Sequence, residues 1–133
     1  MRVYLDTNVI VSAFTTRGLS SEVFRIILAE HTLILSRIVL EELQRVLREK
    51  IKLPPAQVKE ITDFLSSFEI ISEFEINESI KLRDSGDIPV LSAALSRDID
   101  FLVTGDKDLL VVSDKYGIKI VTPREFLRQI KGK

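Results

Sequence analysis

Short apolar runs alternate with longer amphipathic segments along this chain. Runs of the buried type predict strands at residues 2–5, 32–35, 101–103 and 118–121. A fifth run, 70–74, carries polar interruptions, which predicts a strand at the edge of the sheet. Because strands alternate with helical segments, we predict an α/β fold with a parallel sheet that helices cover on both faces.

Apolar residues at spacings of three and four predict the intervening helices, and polar residues predict where these begin. The predicted helix caps are Asp6, Ser36 and Thr122, with Ser20 or Ser21 for the second helix. The predicted helices cover 7–14, 22–30, 37–49, a segment that opens at 54–55 and continues to 68, 87–97 and 123–130. A short helix is expected at 76–82, 109–112 fits a helix or a strand, and the tail 131–133 is expected to fray.

Composition bounds the class of protein. The chain has 133 residues, 45% hydrophobic and 29% charged, which suits one domain over 1–133 with a sizeable core. It has no cysteine, which excludes disulfides and thiolate metal sites. Since neither a signal peptide nor an apolar run of about 20 residues is present, we expect a cytoplasmic location and no membrane partner. The formal net charge of −1 gives no overall attraction to nucleic acid, and the single His31 argues against histidine-based catalysis.

Polar side chains directly follow two of the predicted strands. Asp6, Thr7 and Asn8 come after the first strand, and Thr104-Gly105-Asp106 comes after the strand at 101–103. Asp87 begins a predicted helix, and helix starts lie at that same edge of a parallel sheet. Ligand sites in open α/β sheets form outside the carboxyl ends of the strands. We therefore expect these acids to converge at one edge.

Helical geometry selects a fourth acid. On the 37–49 helix, Glu42 lies at the border of the apolar face, whereas Glu41 lies on the opposite, solvated side. A carboxylate at the margin of the core needs a partner, because burial of a lone charge is costly. Glu42 is therefore the more informative of the two, although an ion pair with Arg45 or Arg83 is the simpler explanation when Glu42 is taken alone.

Several carboxylates in one cleft would repel one another. Two charges ~4 Å apart cost about 4 kcal/mol at an effective dielectric constant of about 20. A divalent cation or altered protonation relieves this repulsion, and oxygen ligands favour Mg²⁺ or Mn²⁺. Thr7 could add a hydroxyl, and Asn8 could hold the Asp6 carboxylate in place. Taken alone, Asp6 and Asp87 are more simply helix caps, and an ordinary turn explains Thr104-Gly105-Asp106 equally well; only the convergence of the acids favours a metal site.

Four motifs follow one another along the chain. The first is Leu5-Asp6-Thr7-Asn8-Val9 with Ser12-Ala13, and the second is Leu40-Glu41-Glu42-Leu43 within 36–47. The third is Arg83-Asp84 followed by Asp87, Leu91 and Ala94, and the fourth is Val103-Thr104-Gly105-Asp106 continuing to Leu110. In this order they resemble the motifs of the PIN-domain nucleases, and more narrowly of the PIN-family toxins of prokaryotic toxin–antitoxin systems. The resemblance covers essentially the whole chain.

The resemblance implies a three-layer α/β/α fold with a five-stranded parallel sheet in the order 3-2-1-4-5. It also implies metal-dependent cleavage of RNA, with Asp6, Glu42, Asp87 and Asp106 as the four acids. On this hypothesis Asp6 and Asp106 bind Mg²⁺ or Mn²⁺ directly, while Asp87 and Glu42 hold metal-bound waters. Thr7 and Thr104 would orient the site through their hydroxyls. A toxin of this kind would be silenced by a cognate antitoxin protein.

Some positions extend or depart from the family pattern. Ile88 stands where relatives often carry another acid. Asp84 and Asp108 are candidate auxiliary acids, and solvated turn positions explain them more simply. Basic residues predicted near the rim of the cleft could contact phosphates, although solvated surface charge explains each equally well. They are Arg17, Arg37, Arg83, Arg97 and Lys107.

Two other functions remain open at this point. A haloacid-dehalogenase-like phosphatase also places an aspartate after the first strand and binds Mg²⁺, but it needs acids where Asn8 and Leu110 stand. The other alternative is a non-catalytic RNA-binding or interaction module with a degenerate site. The amphipathic helices after Ser20 and Pro54 could pack on an antitoxin or in a homodimer, and core packing explains their apolar stripes at least as well.

Overall fold

Five parallel strands form the central sheet in the order β3-β2-β1-β4-β5 in a computed structural model that describes residues 1–132. The strands are β1 Arg2–Leu5, β2 Thr32–Ser36, β3 Glu69–Ile71, β4 Phe101–Val103 and β5 Lys119–Val121. All four pairings between neighbouring strands are parallel. The predicted strand order is therefore confirmed, and β3 lies at an edge, as its polar interruptions predicted.

Helices connect the strands and share one core with them. They are α1 Thr7–Thr15, α2 Leu19–Glu30, α3 Arg37–Arg45, α4 Pro55–Leu65, α5 Ile88–Leu95, α6 Lys107–Leu110 and α7 Pro123–Lys131. A π-helical turn, Val46–Lys50, continues α3, and a 3₁₀ turn, Ser85–Asp87, precedes α5. The apolar stripes of α2 and α4 belong to this core, because Val23, Ile27, Val58 and Leu65 are buried.

The strand β1 lies in the middle of the sheet. Its residues Val3, Tyr4 and Leu5 are fully buried, as expected for a strand of a parallel sheet covered on both faces. In register, Val3 lies opposite Leu33 of β2 on one side and Phe101 of β4 on the other. The residue that follows β1 therefore emerges at the middle of the carboxyl edge of the sheet.

Side-chain caps fix the starts of helices as predicted. Ser36 Oγ accepts a hydrogen bond from Val39 N at 3.2 Å. Thr122 and Glu125 form a reciprocal capping box, with both bonds at 3.1 Å. Asp6 occupies the N-cap of α1 and accepts from Thr7 N. These caps satisfy N–H groups that would otherwise lack partners.

The expected helix at 76–82 does not form. Asn77 Oδ1 accepts from the N and Oγ atoms of Ser79 at 3.0 and 2.6 Å, and Asn77 N donates to Ser92 Oγ at 3.0 Å. Such side-chain bonds offer the backbone an alternative to helical pairing. The segment is therefore a turn anchored to α5.

Several predicted boundaries are also corrected. The helix α2 begins at Leu19 after Gly18, and neither Ser20 nor Ser21 caps it, since no side chain does. The segment 109–112, which fitted either a helix or a strand, begins inside α6. That helix spans Lys107–Leu110 and is capped by Asp106. The helix α7 extends to Lys131, and the last residue of the expected frayed tail, Lys133, lies outside the described residues. Within residues 1–132, none of the helices is both long and apolar enough to cross a membrane.

Candidate active site

Carboxylates line a cavity of about 230 Å³ at the carboxyl edge of the sheet. Asp6 follows β1 and Asp106 follows β4, and these two strands are neighbours. Glu42 reaches the cavity from α3, and Asp87 reaches it from the 3₁₀ turn before α5. The structure thus brings the four predicted acids to one cavity, although Asp6 and Asp106 are 100 positions apart in sequence.

Asp6 is a buried and firmly oriented carboxylate. It is only 7% exposed, and its Oδ1 atom accepts from Thr7 N at 2.8 Å while Oδ2 accepts from Thr104 Oγ1 at 2.7 Å. Burial raises the pKa of Asp6 above its ordinary range, these hydrogen bonds oppose the rise, and the nearby charges of Glu42 and Asp106 add to it. The pair of hydrogen bonds fixes the direction in which its oxygens can bind a ligand.

Thr104 joins the two central loops of the site. Its buried Oγ1 atom donates to Asp6 and also accepts from Asp106 N at 3.0 Å. The expectation that Asn8 holds the Asp6 carboxylate is wrong, because the side-chain bond to Asp6 comes from Thr104. Asn8 is exposed and lines the cavity instead.

Among the acids of the cavity, Asp87 has the most strongly raised pKa. Its pKa is raised to about 8, first by burial, then by the neighbouring Asp106 side chain, and further by the charges of Asp106, Asp84 and Asp6. Its Oδ2 atom is buried and has no hydrogen-bond partner in the described structure. In the absence of a cation, this carboxyl is therefore protonated near neutral pH.

Glu42 is more exposed than we expected for a residue at the margin of the core. Its side chain is 46% exposed, and Glu42 Oε2 lies 3.9 Å from Arg45 Nη2. The buried face of α3 and the π turn is formed by Val39, Leu43 and Leu47, and Glu42 lines the acidic cavity instead. The contact with Arg45 is the ion pair that the simpler explanation predicted.

A second acidic group adjoins the cavity through Asp87. One carboxylate oxygen from each of Asp84, Asp87 and Asp108 lies within 4.8 Å of the others, close enough for the group to hold a metal ion. Asp84 also accepts from Gly86 N at 2.9 Å, which is the turn role expected of it. The interpretation of Asp84 and Asp108 as solvated turn residues is thus incomplete, because their carboxylates meet that of Asp87.

The donor atoms fit a hard divalent cation. Carboxylate oxygens are the ligands that Mg²⁺ and Mn²⁺ prefer, and both acidic groups offer them. A buried polar atom without a partner is costly, and a cation or a water held by it would satisfy Asp87 Oδ2. Thr7 Oγ1, next to Asp6 in the chain, is also buried without a partner among the described residues.

Two basic residues that were not among the predicted phosphate contacts, Arg45 and Lys50, also line the cavity. Counting along an ideal α-helix from Glu42 selects Glu49 rather than Lys50, because residues seven positions apart share a face. The π turn at the end of α3 changes this count. No signal in the hydrophobic pattern indicated that turn.

The basic residues predicted at the rim are scattered. Arg83 Nε lies 3.5 Å from Asp108 Oδ1, beside the second acidic group. Arg97 donates to the carbonyl oxygen of Ser96 at 3.0 Å and lines a separate cavity, so its predicted place at the cleft is wrong. It follows the end of α5, whereas Asp87 precedes that helix, and about eight residues of helix span roughly 12 Å. Arg17, Arg37 and Lys107 are exposed and are not among the described residues that line the acidic cavity.

Comparison with known proteins places this site in a family. The model of a family described as the PIN domain matches residues 2–108. The fold is similar to that of a chain in the crystal structure of VapBC2 from Rickettsia felis bound to a DNA fragment from their promoter. The TM-score is 0.59 at 22% identity, and the match covers 91% of this chain and 97% of that chain. No curated protein matches the sequence. Because the family match spans most of the chain and includes all four acids of the cavity, the chain belongs to the PIN-domain family.

Proposed function

We propose that this protein is a Mg²⁺- or Mn²⁺-dependent endoribonuclease that hydrolyses RNA phosphodiester bonds. The observation that carries the proposal is the meeting of Asp6, Glu42, Asp87 and Asp106 in one cavity of a PIN domain. These acids come from four separate segments, so helix capping alone does not account for their convergence. The buried, unpartnered Oδ2 atom of Asp87 supports a cation at this place.

In this proposal Asp6 and Asp106 would bind the metal directly, and Asp87 and Glu42 would hold waters bound to it. A bound Mg²⁺ or Mn²⁺ supplies positive charge for the phosphoryl oxygens and lowers the pKa of a coordinated water. Thr104 acts as a positioning residue, because its hydroxyl holds the Asp6 carboxylate and the backbone of Asp106. A second cation could use Asp84 and Asp108 together with Asp87.

The acidic residues of the site would have different roles. Asp6 presents oxygens whose direction is set by two hydrogen bonds, which reduces the reorganisation needed when a ligand binds. Asp87 would face a bound cation as an ionised carboxylate, because positive charge favours that form. Asp87 or Glu42 would orient the attacking water. Of the two, Glu42 is the more exposed to solvent.

The decisive experiment is Asp6→Asn, assayed for Mn²⁺ binding and for cleavage of RNA. We expect cleavage to fall at least about 100-fold, equivalent to ~2.7 kcal/mol of transition-state stabilisation. Asp63→Asn is the matched control, since Asp63 is an exposed carboxylate on α4 that pairs with Lys59 at 2.6 Å. If folded Asp6→Asn protein cleaves RNA and binds Mn²⁺ like the unsubstituted protein, the assignment fails.

The same assay separates the alternatives. A non-catalytic module would bind RNA without cleaving it in either cation. The phosphatase alternative has no support from the family match, and Asn8 stands where that chemistry needs an acid. If the protein released phosphate from small phosphate monoesters and left RNA intact, the result would favour the phosphatase.

We also propose that the protein is the toxin of a toxin–antitoxin pair, held inactive by a cognate antitoxin. The similarity in fold to a chain of the VapBC2 structure supports this biological setting. The test is to express the chain alone and together with the product of the neighbouring gene. We expect the chain alone to arrest growth and the product of the neighbouring gene to relieve the arrest. The purified complex of the two proteins should no longer cleave RNA. Growth unaffected by the active chain would favour a housekeeping ribonuclease.

A further inference from the structure

The π-helical turn Val46–Lys50 changes which side chain reaches the acidic cavity. In an uninterrupted α-helix, Glu49 would share the face of Glu42, seven positions earlier. A π turn takes up about one extra residue, so Lys50 occupies that angular position instead. Lys50 accordingly lines the cavity, whereas Glu49 is turned toward Arg48, 3.8 Å away. The irregular turn thus places an ammonium group where a regular helix would place a fifth carboxylate.

Lys50 is available to bind an anion. It is exposed, and within residues 1–132 it forms no salt bridge with a carboxylate. Its neighbour at the cavity, Arg45, makes only a half-exposed contact of 3.9 Å with Glu42, the kind of ion pair that contributes little to stability. Both cations can therefore turn to a ligand without breaking a strong interaction.

A nucleic acid that approaches this cavity meets mostly negative charge. Four carboxylates line the cavity, and the formal net charge of −1 provides no attraction over the whole molecule. A bound cation would offset part of this repulsion at the cleaved bond. The phosphates on either side still need positive groups from the protein, and Lys50 and Arg45 are the basic residues of the cavity lining.

We propose that Lys50, assisted by Arg45, binds a backbone phosphate of the RNA beside the bond that is cleaved. This inference rests on the proposed function and names a contact for its substrate. An ammonium group is a compact charge with three donors, which suits phosphate oxygens without reading the bases. The contact would position RNA in the cavity independently of its sequence.

Arg48 supplies a matched control within the same turn. It is exposed, lies beside Glu49, and lines a different groove that α3 and the π turn form with α4. Arg48→Gln therefore removes one positive charge from the same turn without altering the acidic cavity. Lys50→Gln removes the same charge at the cavity. Because both side chains are exposed, both variants are expected to fold.

The test measures binding of a single-stranded RNA oligonucleotide at several salt concentrations, in an Asp6→Asn background that suppresses cleavage. We expect Lys50→Gln to weaken binding several-fold and to lower the slope of log affinity against log salt by about 0.7, the value for one phosphate contact on a single strand. Arg48→Gln should change neither quantity. With Asp6 restored and Mn²⁺ present, Lys50→Gln should raise KM for RNA while Mn²⁺ affinity stays the same.

Each outcome bears on a different claim. Affinity and salt slope that are unchanged in Lys50→Gln, or changed equally in Arg48→Gln, overturn the phosphate contact. If Lys50→Gln weakens binding as expected but the unsubstituted protein does not cleave RNA, the proposed endoribonuclease activity is overturned. The proposed phosphate contact then stands. An unsubstituted protein that neither binds nor cleaves RNA overturns both.

Discussion

At the scale of single residues, the hydroxyl of Thr104 holds together the two acids proposed as direct ligands. It donates to Asp6 at 2.7 Å and accepts from Asp106 N at 3.0 Å. Thr104→Val keeps the shape of the side chain and removes both bonds. We expect the free energy of unfolding to fall by about 1–3 kcal/mol, because buried polar groups lose their partners. Mn²⁺ affinity should fall about 10–100-fold, as for other residues that orient a metal ligand.

Urea unfolding and calorimetric titration with Mn²⁺ measure these two effects. Thr104→Ser keeps the hydroxyl and is the control, so it should retain most of the metal affinity. If Thr104→Val binds Mn²⁺ as tightly as the unsubstituted protein does, the bond to Asp6 does not orient the ligand.

The Asp87 carboxyl predicts how stability depends on pH in the metal-free protein. Its pKa is about 8 in the folded protein, against an ordinary value of 3.8. Between these values the folded protein holds a proton that the unfolded chain releases, so the free energy of unfolding falls as pH rises from about 4 to about 8. Thermal unfolding followed in EDTA at pH 5 and pH 8 should therefore give a lower Tm at pH 8.

Asp87→Asn isolates this contribution. The amide does not titrate, so the fall in Tm between the two pH values should shrink in the variant. It should not vanish, because burial also raises the pKa of Asp6, which acts in the same direction. The same pH dependence in both proteins would show that Asp87 is ionised in the metal-free state.

The sequence contained enough information to select the four acids of the cavity but not their neighbours. Asp6 directly follows one apolar strand, and only Thr104 and Gly105 separate Asp106 from another, so their edge of the sheet could be predicted from chain order alone. The place of Lys50 depends on a π turn, which leaves no mark in the hydrophobic pattern. Asp84 and Asp87, at the 3₁₀ turn, meet Asp108 in the first turn of α6, and sequence spacing does not reveal that contact.

At the scale of secondary structure, apolar runs predicted the strands well, and competing side-chain bonds explain where helix predictions failed. The buried strands β1 and β4 were predicted with their observed bounds, since a short apolar run between polar residues leaves few alternatives. The segment 76–82 has helical spacing, but Asn77 captures the N–H and the hydroxyl of Ser79 and turns the chain. The hydrophobic pattern of a sequence contains no information about such local hydrogen bonds.

The capping box of α7 is expected to contribute measurably to stability. Thr122→Ala removes the acceptor of the 3.1 Å bond from Glu125 N, and loss of an N-cap costs about 1 kcal/mol. Urea unfolding should show this loss with an unchanged denaturant slope. Ser21→Ala is the control, because Ser21 was a predicted cap that makes no capping bond, and it should change stability by less than about 0.5 kcal/mol. Equal losses in the two variants would contradict a specific role for the Thr122 cap.

At the scale of the whole molecule, the order of the strands assembles the site. Because β1 is central and β4 lies next to it, residues 100 positions apart meet at one edge. The α3 helix that starts after β2 brings Glu42 to the same edge from the other side of β1. No single segment contains the candidate metal site, so only the folded chain presents all four acids together.

This dependence on the whole fold predicts that a divalent cation stabilises the protein. A cation that binds the folded state alone raises the free energy of unfolding by about 2.7 kcal/mol at a concentration of 100 times its Kd. For a chain of this size, that corresponds to an increase in Tm of roughly 5–15 °C. Thermal unfolding with increasing Mn²⁺ measures the increase, and Asp106→Asn should abolish most of it because one proposed direct ligand is lost. Asp63→Asn, at an exposed position of α4 that does not line the acidic cavity, should retain it. An increase of equal size in Asp106→Asn would place the stabilising cation elsewhere on the molecule, and no increase in the unsubstituted protein would mean that the four carboxylates do not form a metal site.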